Sequence, residues 1–62
     1  MNLTLAEERA VALVADGESD KSAGRKLGKS YITVRDQVKS ARRKLGAKTR
    51  AHLVKLWIKA QI

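Results

Sequence analysis

The sequence contains no cysteine, no proline and no phenylalanine, and it has only one histidine. Without cysteine the chain can form neither disulfides nor thiolate metal sites, which fits a reducing compartment. The lone imidazole of His52 provides too few ligands for a metal site. The sequence therefore predicts neither a bound metal nor any other cofactor.

Long hydrophobic runs are also missing. No apolar stretch approaches the roughly 18 residues needed to span a bilayer. Residues 1–5 lack the basic-then-apolar order of a signal peptide. We therefore expect a cytoplasmic protein with no membrane partner.

The usual catalytic arrangements are absent as well. The sequence has no histidine–carboxylate pair, no phosphate-binding glycine loop and no cluster of metal ligands. It therefore predicts a protein that is not an enzyme and has no catalytic residues.

The length of 62 residues limits the chain to one domain, residues 1–62. A domain this small buries only about 60% of the surface that its unfolded chain exposes, so its stability is marginal without further help. Because disulfides and metals are excluded, oligomerisation is the remaining source of additional stability.

Acidic residues are scarce in the middle of the chain. Residues 1–20 carry one basic side chain and five acidic ones, whereas residues 21–50 carry eleven basic side chains and one acidic residue, Asp36. The formal net charge of the whole chain is +8. A basic segment of this kind indicates a polyanionic partner such as a nucleic acid.

Apolar residues recur at helical spacing in four stretches, and no stretch alternates as a strand would. The pattern predicts an all-α fold with helices at about 4–16, 20–27, 31–45 and 50–60. Thr4 and Glu7 form a T-x-x-E capping box for the first helix. The predicted buried residues of that helix are Ala6, Ala10, Leu13 and Val14.

The second helix is predicted to begin after Ser19 as its N-cap. An interior glycine costs a helix roughly 1 kcal/mol relative to alanine. Gly24, beside the small Ala23, therefore indicates close approach of a crossing helix. Gly28-Lys29-Ser30 then joins the second and third helices, with the length expected in a helix-turn-helix.

The third helix carries the clearest apolar stripe, on one side only. The stripe consists of Val34, Val38, Ala41 and Leu45. Cationic side chains are rotated away from it, namely Arg35, Lys39, Arg42 and Arg43. One side of this helix is thus predicted to face the core, and the other to be cationic.

The fourth helix, predicted to follow Gly46 and the cap Thr49, is more apolar than docking on one face requires. A second exposed apolar surface usually marks a partner site. The candidate residues for a contact between two copies of the chain are Leu53, Leu56, Trp57 and Ala60. For Trp57 a place in the core is an equally good interpretation.

Taken together, these residues resemble the LuxR-type (GerE-like) helix-turn-helix domain, in a collinear and gap-free match from Leu3 to about Ile58. The matching residues are Leu3-Thr4, Glu7, Leu13, Ala15-x-Gly17-x-Ser19-x-Lys21, Leu27, Ser30-x-x-Thr33-Val34-Arg35, Lys44-Leu45-Gly46 and Arg50. Residues 51–62 look most like the quorum-sensing members. The chain departs from the family at Ser22, Ala23-Gly24, Lys29 and Gln37, which implies a thinner core around the turn.

The resemblance implies a four-helix domain that binds double-stranded DNA and regulates transcription, usually as a dimer joined through the last helix. It implies that the third helix enters the major groove. Arg35 and Lys39 match the positions that read base edges, with Asp36 at a variable position between them. Lys21, Thr33 and Lys44 match positions near phosphates or supporting the turn.

Side-chain chemistry assigns further roles within such a complex. Arginine bonds guanine O6 and N7 bidentately, which suits Arg35, and Lys39 reaches the next base step. Asp36 either accepts from a cytosine amino group or pairs with Lys39, and local pairing is the favoured interpretation. The candidates for contacts that position the protein on the phosphates are Lys21, Lys29, Ser30, Thr33, Arg42, Arg43 and Lys44.

Two other functions remain open on the sequence alone. The first is a sigma-factor region 4-like domain that binds RNA polymerase. The second is a LuxR-type domain that inhibits a larger LuxR-type regulator by dimerising with it. The sequence also leaves open whether the chain is a free-standing regulator, a phage- or plasmid-borne version, or part of a larger regulator.

Overall fold

The computed structural model describes residues 2–61. Met1 and Ile62, which end the segments 1–5 and 51–62 of the sequence analysis, lie outside the described residues. Residues 2–61 form four helices and no strand: α1 (Leu5–Ala15), α2 (Asp20–Leu27), α3 (Tyr31–Leu45) and α4 (Arg50–Gln61). The predicted all-α fold is therefore confirmed, and each predicted helix boundary lies within one residue of the observed one.

Side-chain caps begin all four helices, at the residues that the sequence predicts. In the capping box of α1, the Thr4 hydroxyl accepts from the Glu7 amide at 3.1 Å and the Glu7 carboxylate accepts from the Thr4 amide at 2.8 Å. The hydroxyls of Ser19, Ser30 and Thr49 each accept from the amide three residues later, at 3.0–3.2 Å. These bonds satisfy amides that a helix start otherwise leaves free.

The core lies where α1, α3 and α4 meet, with α2 packed mainly on α3. Its largest fully buried side chains are Val11, Val34 and Leu53. The remaining buried apolar residues are Ala10, Val14, Ala23, Val38 and Ala41. The predicted stripe of α3 is confirmed, because Leu45 also packs against this cluster.

The buried face of α1 differs from the prediction. Val11 is completely buried, whereas Ala6 and Leu13 are only half-buried. The buried face consists of Glu7, Ala10, Val11 and Val14, so it includes two of the four predicted residues, and Leu13 packs against the core from its edge.

Leu53 corrects the predicted self-contact surface on α4. Its side chain is completely buried in the core of its own chain, so the prediction that it contacts a second copy is wrong. Leu56 is half-buried, Trp57 is half-buried and packs against the core, and Ala60 is exposed. Three of the four predicted residues thus retain accessible surface.

Gly24 makes the close approach that its position indicates, and its neighbours are the turn before α3 and the first residue of α3. A Cβ atom at Gly24 would lie 2.6 Å from the backbone oxygen of Lys29 and 3.3 Å from the backbone nitrogen of Tyr31. The turn between α2 and α3 therefore folds directly back over Gly24. Gly28, at φ +68°, supplies the left-handed conformation that ends α2 and starts this turn.

None of the four helices in the described part of the chain has the length and apolar character to cross a membrane.

Candidate nucleic-acid interface

The side of α3 that points away from the core forms an exposed, charged surface. It consists of five exposed residues, which we call the outer face of α3: Ile32, Arg35, Asp36, Lys39 and Arg43. Their spacing repeats about every turn, so they form one strip along the helix. The opposite side of α3 is held in the core by Val34, Val38 and Ala41. A single helix thus presents three cations and one carboxylate to solvent.

A groove of about 380 Å³ lies beside this strip, between α3 and the start of α4. Its lining consists of Arg35, Asp36, Val38, Lys39, Arg42 and Arg50. Four of the six are cations, so the groove adds concave positive surface to the outer face of α3.

Asp36 does not form the predicted ion pair with Lys39. Within residues 2–61 the ion pairs within 4.0 Å join other residues. Both side chains are exposed, and a pair in water gains little over two hydrated ions. The favoured sequence interpretation of Asp36 is therefore wrong, and its carboxylate remains accessible.

Arg42 has an intramolecular role that the sequence did not indicate. Its Nη2 donates to the backbone oxygen of Lys48 at 2.8 Å, and the side chain is half-buried. Arg42 therefore holds the connection between α3 and α4, while still lining the groove. The predicted phosphate contact of Arg42 stays a prediction, now for a side chain that is anchored within the chain.

Lys44 is likewise engaged within the chain. Its Nζ lies 2.8 Å from Oε1 of Glu7, a residue that is only 6% exposed. Its ammonium group thus neutralises a buried carboxylate, while the residue remains exposed, so its phosphate contact stays a prediction.

Glu7 has more partners than the capping role that the sequence predicts for it. In addition to Thr4 and Lys44, it accepts from the Ser40 hydroxyl at 2.6 Å. These bonds lower the pKa of Glu7 from 4.5 to about 2, against the opposing effect of burial. The bond to Lys44 has the largest effect, followed by those to Ser40 and Thr4. Glu7 therefore fixes the second half of α3 against α1.

Four of the five remaining predicted phosphate contacts lie at or near the beginning of α3. Lys29, Ser30 and Thr33 are exposed there, and the Ser30 and Thr33 hydroxyls lie 3.1 Å apart. Lys21, on α2, places its Nζ 5.8 Å from the centre of the Tyr31 ring. Arg43 is exposed on the second half of α3. The structure thus leaves six of the seven predicted residues exposed along or beside α3, Lys44 among them, and Arg42 half-buried.

Arg50 joins α4 to α2 through an ion pair that no local pattern signals. Its Nη1 lies 2.8 Å from Oδ1 of Asp20, thirty residues away in the chain. The pair fixes the start of α4 and thereby one wall of the groove.

No protein-family model, curated protein or solved structure matches this chain. The LuxR-type resemblance rests on the residues quoted above.

Proposed function

We propose that this protein is a sequence-specific DNA-binding regulator of transcription of the LuxR type, with α3 as the helix that enters the major groove. The supporting observation is the exposed, cationic outer face of α3, opposite a side that the core holds rigidly. The major groove of B-DNA admits one helix and displays a distinct donor and acceptor pattern for each base pair. A short turn after α2 leaves the start of α3 accessible to such a groove.

The side chains of the outer face divide into those that read bases and those that touch phosphates. Arg35 is the candidate for a bidentate bond to guanine, and Lys39 reaches the neighbouring step. Asp36, which has no ion pair with Lys39, is available to accept from a cytosine amino group. The predicted phosphate contacts that are exposed and have no ion pair with any other described residue are Lys21, Lys29, Ser30, Thr33 and Arg43.

The test of this function begins with selection of bound sequences from a random pool of double-stranded DNA. On the selected site, Arg35→Ala is expected to weaken binding by about 1–3 kcal/mol, or roughly 5- to 150-fold, because one base loses its bidentate partner. Base preference at that one position should also relax. Titration of labelled DNA, selected and random, measures both effects.

Arg9→Ala is the matched control for this variant. It removes the same charge from an exposed site on α1, outside the outer face of α3, and should change affinity little. Equal loss for Arg35→Ala on selected and random DNA would show that Arg35 touches only phosphate. Failure to enrich any sequence, together with binding to RNA polymerase, would contradict the proposed function and favour a sigma-factor-like role.

We also propose that two copies of the chain bind one operator, through the accessible part of α4. The candidate residues are Leu56, Trp57 and Ala60, because Leu53 is buried. A symmetric dimer reads two half-sites about one helical turn apart, or a multiple of that distance. A palindromic sequence from the random pool would support this arrangement.

Leu56→Glu is expected to weaken self-association at least tenfold, since it places a charge within an apolar contact. Sedimentation with and without operator DNA measures the association state, and circular dichroism checks that the helices remain. Ala51→Glu is the control, because it adds the same charge at an exposed site of α4 outside the proposed contact. A wild-type protein that stays monomeric even on DNA would contradict the dimer.

A further inference from the structure

Ile32 is a large apolar side chain on the outer face of α3 with no role in the core. Its exposed fraction is 48%, and it is not among the residues packed against the core cluster. A β-branched residue also gives a helix no advantage in propensity. Neither packing nor helix formation therefore accounts for isoleucine at this position.

Single exposed apolar residues are common on protein surfaces, and the position of Ile32 is what distinguishes it. It lies three residues before Arg35 and four before Asp36, the two spacings that place side chains next to each other on a helix. Its exposed neighbour Tyr31 already has a partner within the chain, since the ammonium group of Lys21, on α2, lies over the Tyr31 ring. Ile32 is thus the apolar group of the outer face of α3.

If Arg35 reaches a base edge in the major groove of DNA, Ile32, one turn earlier on the same face of α3, also lies next to the bases. The one apolar feature on the major-groove edges of the base pairs is the C5-methyl group of thymine. Donors and acceptors are matched by arginine, lysine and aspartate, and a methyl group is matched by an aliphatic side chain. The chemistry of Ile32 therefore selects one base.

We infer that Ile32 determines specificity by packing against the C5-methyl group of a thymine next to the base read by Arg35. This inference rests on the proposed function, and it names a base within the site. It also gives the protein a preference for DNA over RNA that is independent of groove shape, because uracil lacks this methyl group.

The experiment uses the full chain and the DNA sequence selected from the random pool. Each thymine is replaced in turn by deoxyuridine, which removes only the methyl group and preserves base pairing. At one thymine of each half-site the wild-type affinity is expected to fall about fourfold, because the free energy gained by burying one methyl-sized group corresponds to about that factor. The same replacement should leave the affinity of Ile32→Ala unchanged.

Ile58→Ala is the matched control, because Ile58 is also 48% exposed but lies on α4. Even if its overall affinity changes, this variant should show the same ratio of affinities for thymine and deoxyuridine sites as the wild type. The inference would be overturned if replacing thymine by deoxyuridine lowered the affinity of wild type and of Ile32→Ala by the same factor. It would also be overturned if no such replacement changed the affinity of the wild type. In both cases the selected sequence would still support DNA binding. Failure to select any sequence would overturn both proposals.

Discussion

Gly24→Ala is expected to destabilise the domain by up to about 2 kcal/mol. The new Cβ atom would lie 2.6 Å from the Lys29 backbone oxygen, and overpacking of this kind typically costs 1–3 kcal/mol. The obstacle is backbone, so no side chain can move aside to relieve it. The gain of about 1 kcal/mol in helix propensity offsets only part of the cost. Urea unfolding followed by circular dichroism measures the difference.

Arg25→Ala serves as the control for Gly24→Ala. Arg25 is the next residue of α2 and is exposed, so its replacement should change the free energy of unfolding by no more than about 0.5 kcal/mol. A Gly24→Ala protein more stable than wild type would show that the turn between α2 and α3 can shift at little cost. That result would also remove the explanation for a glycine inside this helix.

Glu7→Gln is expected to lower the free energy of unfolding at pH 7 by roughly 2–3 kcal/mol. Glutamine leaves the Lys44 ammonium without its anion and weakens the acceptor that Ser40 uses. The effect depends on pH because the folded-state pKa, about 2, lies below the ordinary value of 4.5. The stabilisation is therefore complete above about pH 4.5 and is lost as the pH falls toward 2.

Unfolding curves of wild type and Glu7→Gln between pH 7 and pH 2 should accordingly converge as the pH falls. Glu8→Gln provides the comparison, since it removes the same charge one residue along the chain. Its effect should be small. A constant gap between wild type and Glu7→Gln at every pH would contradict the role assigned to the Glu7 carboxylate.

The helices could be predicted from the sequence because the signals that define them are local. A cap such as Thr4 or Ser30 acts on an amide three residues away, and the stripe on α3 repeats every turn. The exposed positions of Arg35 and Lys39 follow directly from that stripe. These parts of the candidate site needed no knowledge of tertiary structure.

The partners of the charged residues could not be predicted in the same way. Glu7 meets Ser40 and Lys44 across 33 and 37 residues of sequence, and no periodicity encodes such a meeting. The burial of Leu53 depends on how α4 lies against α1 and α3. The sequence of α4 leaves this undetermined, because its apolar residues occupy more than one face. Long-range packing therefore decided which cations and which apolar residues remain accessible.

The separation between the outer face of α3 and the core has a consequence for how such a scaffold diversifies. The five side chains of that face are exposed, while the contacts that orient the helix come from Gly24, Glu7 and the buried valines. Exchanging the exposed residues therefore leaves the orienting contacts unchanged. New side chains can therefore arise on this face, in evolution or by engineering, without a compensating change elsewhere in the chain.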